Sequence, residues 1–320
     1  MAMDADTRQI ILDTAAKIFA DHCDKSLLDE AERGTFADGL WQLVVENGFH
    51  QLGSAESGTG AEEMFAFLQV CGRFAVPLPM AETLLVNAWC GAADSIASIG
   101  VLTNDVVTGA AWVSRATRLV GVTRGMPDVR FATDFNVMDE STNLAGEPVA
   151  DATLGEAEYV EVVNDPYSQM ALSRINLMAG SLQAQLELAI QFATERVQFG
   201  RSISKFQAIQ HSLAVVAAEV AAAKRAADAA VDALDDPRFI SEVAAGKARV
   251  GEAVGIVAEQ VHQIHGAMGF TYEHRLHHFS RRAWAWRDSW GNEFYWQALL
   301  GNHLAQLGAE DVWDFIATRG

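Results

Sequence analysis

Apolar side chains recur at spacings of three and four through most of this chain. They give way to short β-branched runs only between about positions 100 and 165. Over residues 4–30, Ile10, Ile11, Ala15, Ile18 and Phe19 share a helical period, and Gly34 interrupts it. A second helix is predicted with Leu40, Leu43 and Val44 on one face and Asn47-Gly48 as its stop. G-S-A-E-S-G-T-G at 53–60 reads as a loop. Ala61–Gly72 and Met80–Ala97 read as further helices, separated by Pro77 and Pro79. The runs V-L-T-N-D-V-V-T-G-A-A-W-V, A-T-R-L-V-G-V-T, V-R-F-A-T and Y-V-E-V-V predict strands.

From Asp165-Pro166 onward the period is helical again. One stripe runs Ile175, Met178, Leu182, Leu186, Ala189, Ala193. A second runs Leu213, Val216, Val220, Ala223, Ala227, Ala230, Leu234, and Asp236-Pro237 ends it. A third runs Val243, Gly246, Val250, Val254, Val257, Val261, Ile264. Such stripes are the seams of an antiparallel bundle, with a fourth helix expected over roughly 291–307. The predicted fold is mostly α with a small β-domain. It has an N-terminal helical domain at 1–99, a reduced β-domain at 100–165 and a C-terminal four-helix bundle at 166–320.

Charge and cysteine usage narrow the function classes. The formal net charge is −19 over 320 residues, which opposes nucleic acid and acidic membranes as partners. No apolar run approaches the about eighteen residues of a membrane span, and Met1–Leu12 lacks the pattern of a secretory signal. Cys23, Cys71 and Cys90 form no C-x-x-C pair and read as reduced thiols of a cytoplasmic protein.

No dinucleotide fingerprint, P-loop or nucleophile motif is present. Glu259-x-x-His262 matches half of a carboxylate-bridged di-iron site but has no second copy, and His274, His277 and His278 lack companions at ligand spacing. No metal is expected. Two stretches carry binding chemistry: R-V-Q-F-G-R at 196–201 and Q-I-H-G-A-M-G-F at 263–270. Arg196 is a planar donor suited to a pyrophosphate, Gln198 a neutral donor and Phe199 an apolar face. Gly200 reads as the helix end, while Gly266 and Gly269 let backbone approach a ligand. Each stretch taken alone is also compatible with an ordinary helix terminus.

In combination with the domain order, these stretches resemble the acyl-CoA dehydrogenase family of flavoproteins. R-V-Q-F-G-R-S-I-S-K-F-Q-A-I-Q-H is the most specific passage. L-W-Q-L-V-V-E-N-G-F-H-Q-L-G and C-G-R-F-A-V-P-L-P-M-A-E-T-L resemble the family's first domain. H-G-A-M-G-F-T-Y-E-H-R-L-H-H-F-S-R-R-A resembles the short partner subunits of actinobacterial, steroid-type heteromeric members. The resemblance implies FAD, with its ADP half gripped across a subunit boundary. Arg196, Gln198, Phe199, Phe206, Gln207, Gln263, Gly266 and Ala267 would make that grip. Ala267 stands where the family usually has glycine.

The departures from the family pattern fall together. Its T-E-P-x-A-G-S-D and W-I-[ST]-N stretches are absent from 100–165. Ser289-Trp290-Gly291-Asn292 stands where the family has Y-E-G-T, so Trp290 takes the place of the catalytic glutamate. The alternative position for the base, just before Arg174, holds Ser173. No catalytic residue is therefore assigned. The implied function is one subunit of an acyl-CoA dehydrogenase, paired with a longer homologous subunit (α2β2) that supplies the flavin pocket and the base for an acyl-CoA substrate; the subgroup resemblance points to a steroid side-chain ester. A homomeric enzyme using an atypical base such as Glu273, and a non-catalytic scaffold, remain open alternatives.

Overall fold

The computed structural model describes residues 5–318. Five helices come first: α1 (Ala5–His22), α2 (Lys25–Ala31), α3 (Asp38–Glu46), α4 (Ala61–Phe74) and α5 (Met80–Cys90). The helical run expected over 4–30 is broken because Asp24 caps a new helix, accepting from the Leu27 N–H at 2.9 Å. The helix expected to reach Ala97 stops at Cys90, where Gly91 takes a positive φ of 85°.

Seven strands follow: β1 (Ala97–Thr103), β2 (Val106–Ala111), β3 (Arg118–Val122), β4 (Asp128–Ala132), β5 (Phe135–Thr142), β6 (Pro148–Leu154) and β7 (Glu158–Glu161). They form one sheet in the order β5-β6-β2-β1-β3-β4-β7, antiparallel except for the β1–β3 pair. Irregular register between Val107 and Ala110, and between Val137 and Glu140, bends two of its strands. Side chains alternate between two cores. Leu119 joins Leu102, Val107 and Ala152 in the sheet's own cluster, while Val120 and Val122 join the main core of the molecule.

The chain then enters α6 (Pro166–Glu195), a 30-residue helix about 45 Å long at 1.5 Å per residue. Its start is written in the sequence. Pro166 sits at the first turn, and the Asp165 carboxylate accepts the Ser168 N–H at 2.7 Å. Nearly every side chain of its first half is buried, because α6 is the central rod against which α4, α7, α8 and α9 pack. A two-stranded hairpin, β8 (Val197–Gln198) and β9 (Arg201–Ser202), leads to α7 (Gln207–Asp232) and α8 (Phe239–His265). Then come α9 (Leu276–Asp288), α10 (Glu293–Leu307) and α11 (Val312–Thr318). The fold class is the expected one, mostly α with a small β-domain between two helical parts. The helix expected near 291–307 is α10, and α9 is an additional helix that docks on α6.

Candidate functional site

The end of α6 turns sharply. Arg196 has left the helix, and 197–202 fold back as a two-residue hairpin in which Gln198 pairs with Arg201. Both tip residues lie at positive φ, Phe199 at 52° and Gly200 at 80°. That is the backbone a tight hairpin with native strand twist requires. Gly200 is therefore a hairpin residue and not the end of the helix, as its sequence context suggested. Ser202 anchors the hairpin by placing its hydroxyl 2.8 Å from the Ala193 carbonyl and 2.9 Å from that of Thr194, two acceptors the helix end leaves open. The Ile203 N–H donates to the Arg196 carbonyl at 2.9 Å.

Phe199 stands 92% exposed at this tip. A phenylalanine in left-handed backbone is strained, and nothing within the chain buries its ring. It meets Phe206 edge-on at 6.1 Å, and the Arg201 guanidinium lies over the Phe206 ring at 4.3 Å.

The opposite wall comes from the end of α8. His265 donates from Nδ1 to the Val261 carbonyl at 2.7 Å and stacks on Phe192 at 4.5 Å. Its Nε2 is buried without a partner. Burial pushes its pKa down to about 4, so it is neutral near pH 7 and Nε2 presents a lone pair. Gly266 turns the chain at φ 57°, ψ −137°, a conformation open to glycine and hardly to any other residue.

Between these walls lies a cleft of about 500 Å³. Arg196, Gln198, Phe199, Phe206, Gln263, Gly266 and Ala267 all line it, together with His265. Gln207 is exposed at the first turn of α7 and lies outside the lining. Two stretches more than sixty residues apart thus meet at one surface. Among the described residues, the side chains of Arg196, Gln198 and Gln263 make no hydrogen bond or ion pair, so their donors are unspent. His265 was missed by the sequence reading, although its place inside Q-I-H-G was a usable signal.

The second candidate region is the seam between α5, the sheet and α6. Its cavity is only about 240 Å³, with Met80, Glu82, Trp112, Glu147, Arg174 and Trp290 in its walls. Small-molecule sites usually occupy about 300–1,000 Å³, so this cavity falls below the range and the outer cleft within it. Trp290 is buried at φ 58°, edge-on to Tyr167 at 5.4 Å, and its carbonyl accepts from Trp296 Nε1 at 3.0 Å. Arg124 lies over the rings of Tyr167 and Tyr295 at 4.8 and 4.6 Å. Ser173 is fully buried and donates to the Met170 carbonyl at 2.6 Å. Two buried carboxylates escaped the sequence reading. Glu82 is paired with Arg174, and Glu147 accepts from Arg282 at 3.3 Å and from Asn143 at 3.0 Å. Glu273, the candidate atypical base, is exposed and makes no side-chain hydrogen bond or ion pair among the described residues.

An open groove of about 580 Å³ between α8 and α9 holds Glu259 and His262 beside Phe270, Tyr272 and Trp284. His262 Nε2 lies 3.1 Å from the Ser280 hydroxyl. No second Glu-x-x-His faces the pair among the described residues.

Residues 165–292 match the sequence model of the family described as "Acyl-CoA dehydrogenase, C-terminal domain". Over 299 residues the chain is 28% identical to acyl-CoA dehydrogenase IpdE2 of Mycobacterium tuberculosis, covering 86% of this chain and 90% of that protein. Its fold superposes on a chain of the ChsE4-ChsE5 complex of Mycobacterium tuberculosis with a TM-score of 0.85 at 18% identity, covering 96% and 99% of the two chains. It superposes on a chain of the Tcur3481-Tcur3483 steroid ACAD with a TM-score of 0.82 at 19% identity, covering 94% and 98%.

Proposed function

We propose that this chain, whose residues 165–292 match the acyl-CoA dehydrogenase C-terminal domain, is the FAD-gripping subunit of a heteromeric acyl-CoA dehydrogenase. One contrast carries the proposal. The outer cleft is open and rich in unspent donors, while the inner cavity is small and walled by an aromatic plug. The residues present fit the nucleotide end of the cofactor, and they do not fit a flavin ring with an acyl chain beside it.

Each lining residue has a separate task in this reading. The Arg196 guanidinium pairs with the pyrophosphate, a charge-assisted contact of about 1.5–3 kcal/mol. The Gln198 and Gln263 amides and the Gly266–Ala267 backbone meet polar edges of the nucleotide. Phe199 offers its ring face, and burying it offsets the strain of its backbone. His265, neutral and fixed by Val261, accepts a hydrogen bond at Nε2. The flavin, when bound, would supply the acceptor for the hydride leaving the β-carbon of the acyl group.

The α-proton of an acyl-CoA thioester must go to a base within hydrogen-bonding reach. Neither Trp290 nor Ser173 can take it, so the base belongs to a longer homologous partner, most simply in an α2β2 assembly. The steroid named for one structural neighbour and the two-component naming of two of them suggest a steroid side-chain CoA ester as substrate. No helix among the described residues is long and apolar enough to cross a membrane, which suits an enzyme of the cytoplasm.

A homomeric enzyme with its own base is a second reading, favoured by the two carboxylates in the inner cavity. Both bond to buried arginines, so each has an oxygen already engaged where a base would need it free. Co-expression decides between the readings. The chain with its partner should be yellow and oxidise the acyl-CoA, and the chain alone should do neither. Turnover by the chain alone, lost in a Glu82→Gln or Glu147→Gln variant that remains folded, would establish the second reading.

A further inference from the structure

Where α9 meets α2, three side chains with metal-binding chemistry come together. Asp29, His277 and His278 each offer one donor atom, and the three donors lie within 4.8 Å of one another. We propose that Asp29, His277 and His278 form a binding site for a zinc-type divalent cation that ties the N-terminal helices to the C-terminal bundle.

The hydrogen bonds around the two imidazoles carry the argument. His277 Nδ1 donates to the His274 carbonyl at 2.8 Å, and that acceptor fixes the proton on Nδ1. His278 Nδ1 faces the Glu32 carboxylate at 2.6 Å. In both rings Nε2 is then left with its lone pair. Both Nε2 atoms are buried and make no hydrogen bond within the chain. His277 is 9% exposed and His278 fully buried, so bulk water does not satisfy them. A buried imidazole whose Nδ1–H is held by a carbonyl or carboxylate, with Nε2 free, is how metal-ligating histidines are presented.

The carboxylate is placed to match. Asp29 Oδ1 lies 3.1 Å from His278 Nε2 without the alignment of a hydrogen bond. Two donors on a tetrahedral zinc, each about 2.0–2.1 Å from the metal, sit about 3.3 Å apart. The His278–Asp29 separation already has that length. The third donor, at up to 4.8 Å, needs a shift of no more than about 1.5 Å, within the reach of side-chain rotation.

Three cations stand nearby and are accounted for. Lys25 occupies the other Asp29 oxygen, Oδ2, at 2.5 Å. Arg281 is held by Glu32 at 2.9 Å and by the Leu144 carbonyl at 2.9 Å. Arg282 is shared between Glu32 and Glu147. Two imidazoles and one carboxylate suit zinc, and three protein ligands leave a fourth position for water. Asp29 and His277 are nearly 250 residues apart in sequence, so the cation would cross-link the two helical parts of the chain.

The test uses the full chain in its native assembly, stripped with a chelator and equilibrated with Zn²⁺. The expected result is one zinc per chain by elemental analysis, a melting temperature raised by zinc and lowered again by chelator, and visible d–d absorption when Co²⁺ replaces Zn²⁺. Asp29→Asn and His277→Gln should each weaken binding at least about tenfold, while Glu259→Gln, in the groove between α8 and α9, should leave it unchanged. Two substitutions on different helices guard against one that merely fails to fold. No uptake at micromolar Zn²⁺ overturns the site. Equal uptake in wild type and both folded variants also overturns it, as does loss of uptake in Glu259→Gln alone. A melting temperature that zinc leaves unchanged in the wild type also overturns the cross-link.

Discussion

The Lys247 ammonium nitrogen lies 2.6 Å from the Gly291 carbonyl oxygen, tying the middle of α8 to the turn that carries Trp290. It donates equally to the Arg287 carbonyl at 2.6 Å, so one buried cation caps the end of α9 and fixes the plug beside the inner cavity. Burial lowers its pKa to about 7, against about 10.4 in an unfolded chain. Between those values the unfolded chain binds a proton that the folded one has released, so this group makes stability rise with pH. Urea melts from about pH 7 to about pH 10 should show wild type gaining on Lys247→Met across that window. Parallel curves would mean that Lys247 does not titrate there.

Phe199 sets strain against binding. Replacing it with glycine removes the left-handed penalty, of order 1–3 kcal/mol, and loses almost no burial, since the ring is exposed. Phe199→Gly should therefore raise the chain's melting temperature and yet lower the FAD content of the assembled complex. A variant that gains stability and keeps its cofactor would remove Phe199 from the site.

Arg196 should behave differently. Its exposed side chain makes no hydrogen bond or ion pair among the described residues, so Arg196→Ala should leave unfolding unchanged within about 0.5 kcal/mol. Loss of a charge-assisted pyrophosphate contact of about 1.5–3 kcal/mol corresponds to roughly 10–100-fold weaker FAD binding. Fluorimetric titration of the stripped complex measures it.

The Glu82–Arg174 pair joins α5 to α6 with both side chains buried. Glu82→Gln leaves the guanidinium without its counter-charge, a loss on the order of 3–5 kcal/mol. The affected residues belong to the core, so chemical denaturation is the proper readout.

Close approach of α4 and α6 rests on two glycines. A Cβ at Gly180 would run into the Gln69 carbonyl oxygen, and one at Gly72 into that of Leu177. Both contacts are with backbone, which cannot step aside singly. Gly180→Ala should cost at least about 1–3 kcal/mol or prevent folding, as judged by circular dichroism melts.

The parts legible in the sequence were those with long, uninterrupted period. The stripes of α6, α7 and α8 run seven turns or more, and Asp165-Pro166 announces the start of α6. Helix α9 was missed because His277-His278 and Arg281-Arg282 interrupt the view of Leu276, Phe279, Ala283 and Trp286 on one face. Three of them, His278, Arg281 and Arg282, bond to Glu32, and Arg282 also bonds to Glu147, partners that only the fold brings near. Strand β5 was missed because F-N-V-M-D-E-S-T is mostly polar, as befits a strand at the sheet's edge. The hairpin at 197–202 was hidden by Phe199, a residue that propensity keeps out of left-handed backbone. Seven of the eight proposed cofactor residues do line one cleft, because their motifs lie at neighbouring ends of α6 and α8.

The central claim is that this chain keeps one half of a cofactor site and has closed the other. Its most direct measure is bound flavin per chain, read from absorbance of the purified chain alone and of the complex with its longer partner. The account predicts a colourless isolated chain and one FAD per pair of unlike subunits. A stable yellow homo-oligomer with one FAD per chain, turning over an acyl-CoA unaided, would contradict it.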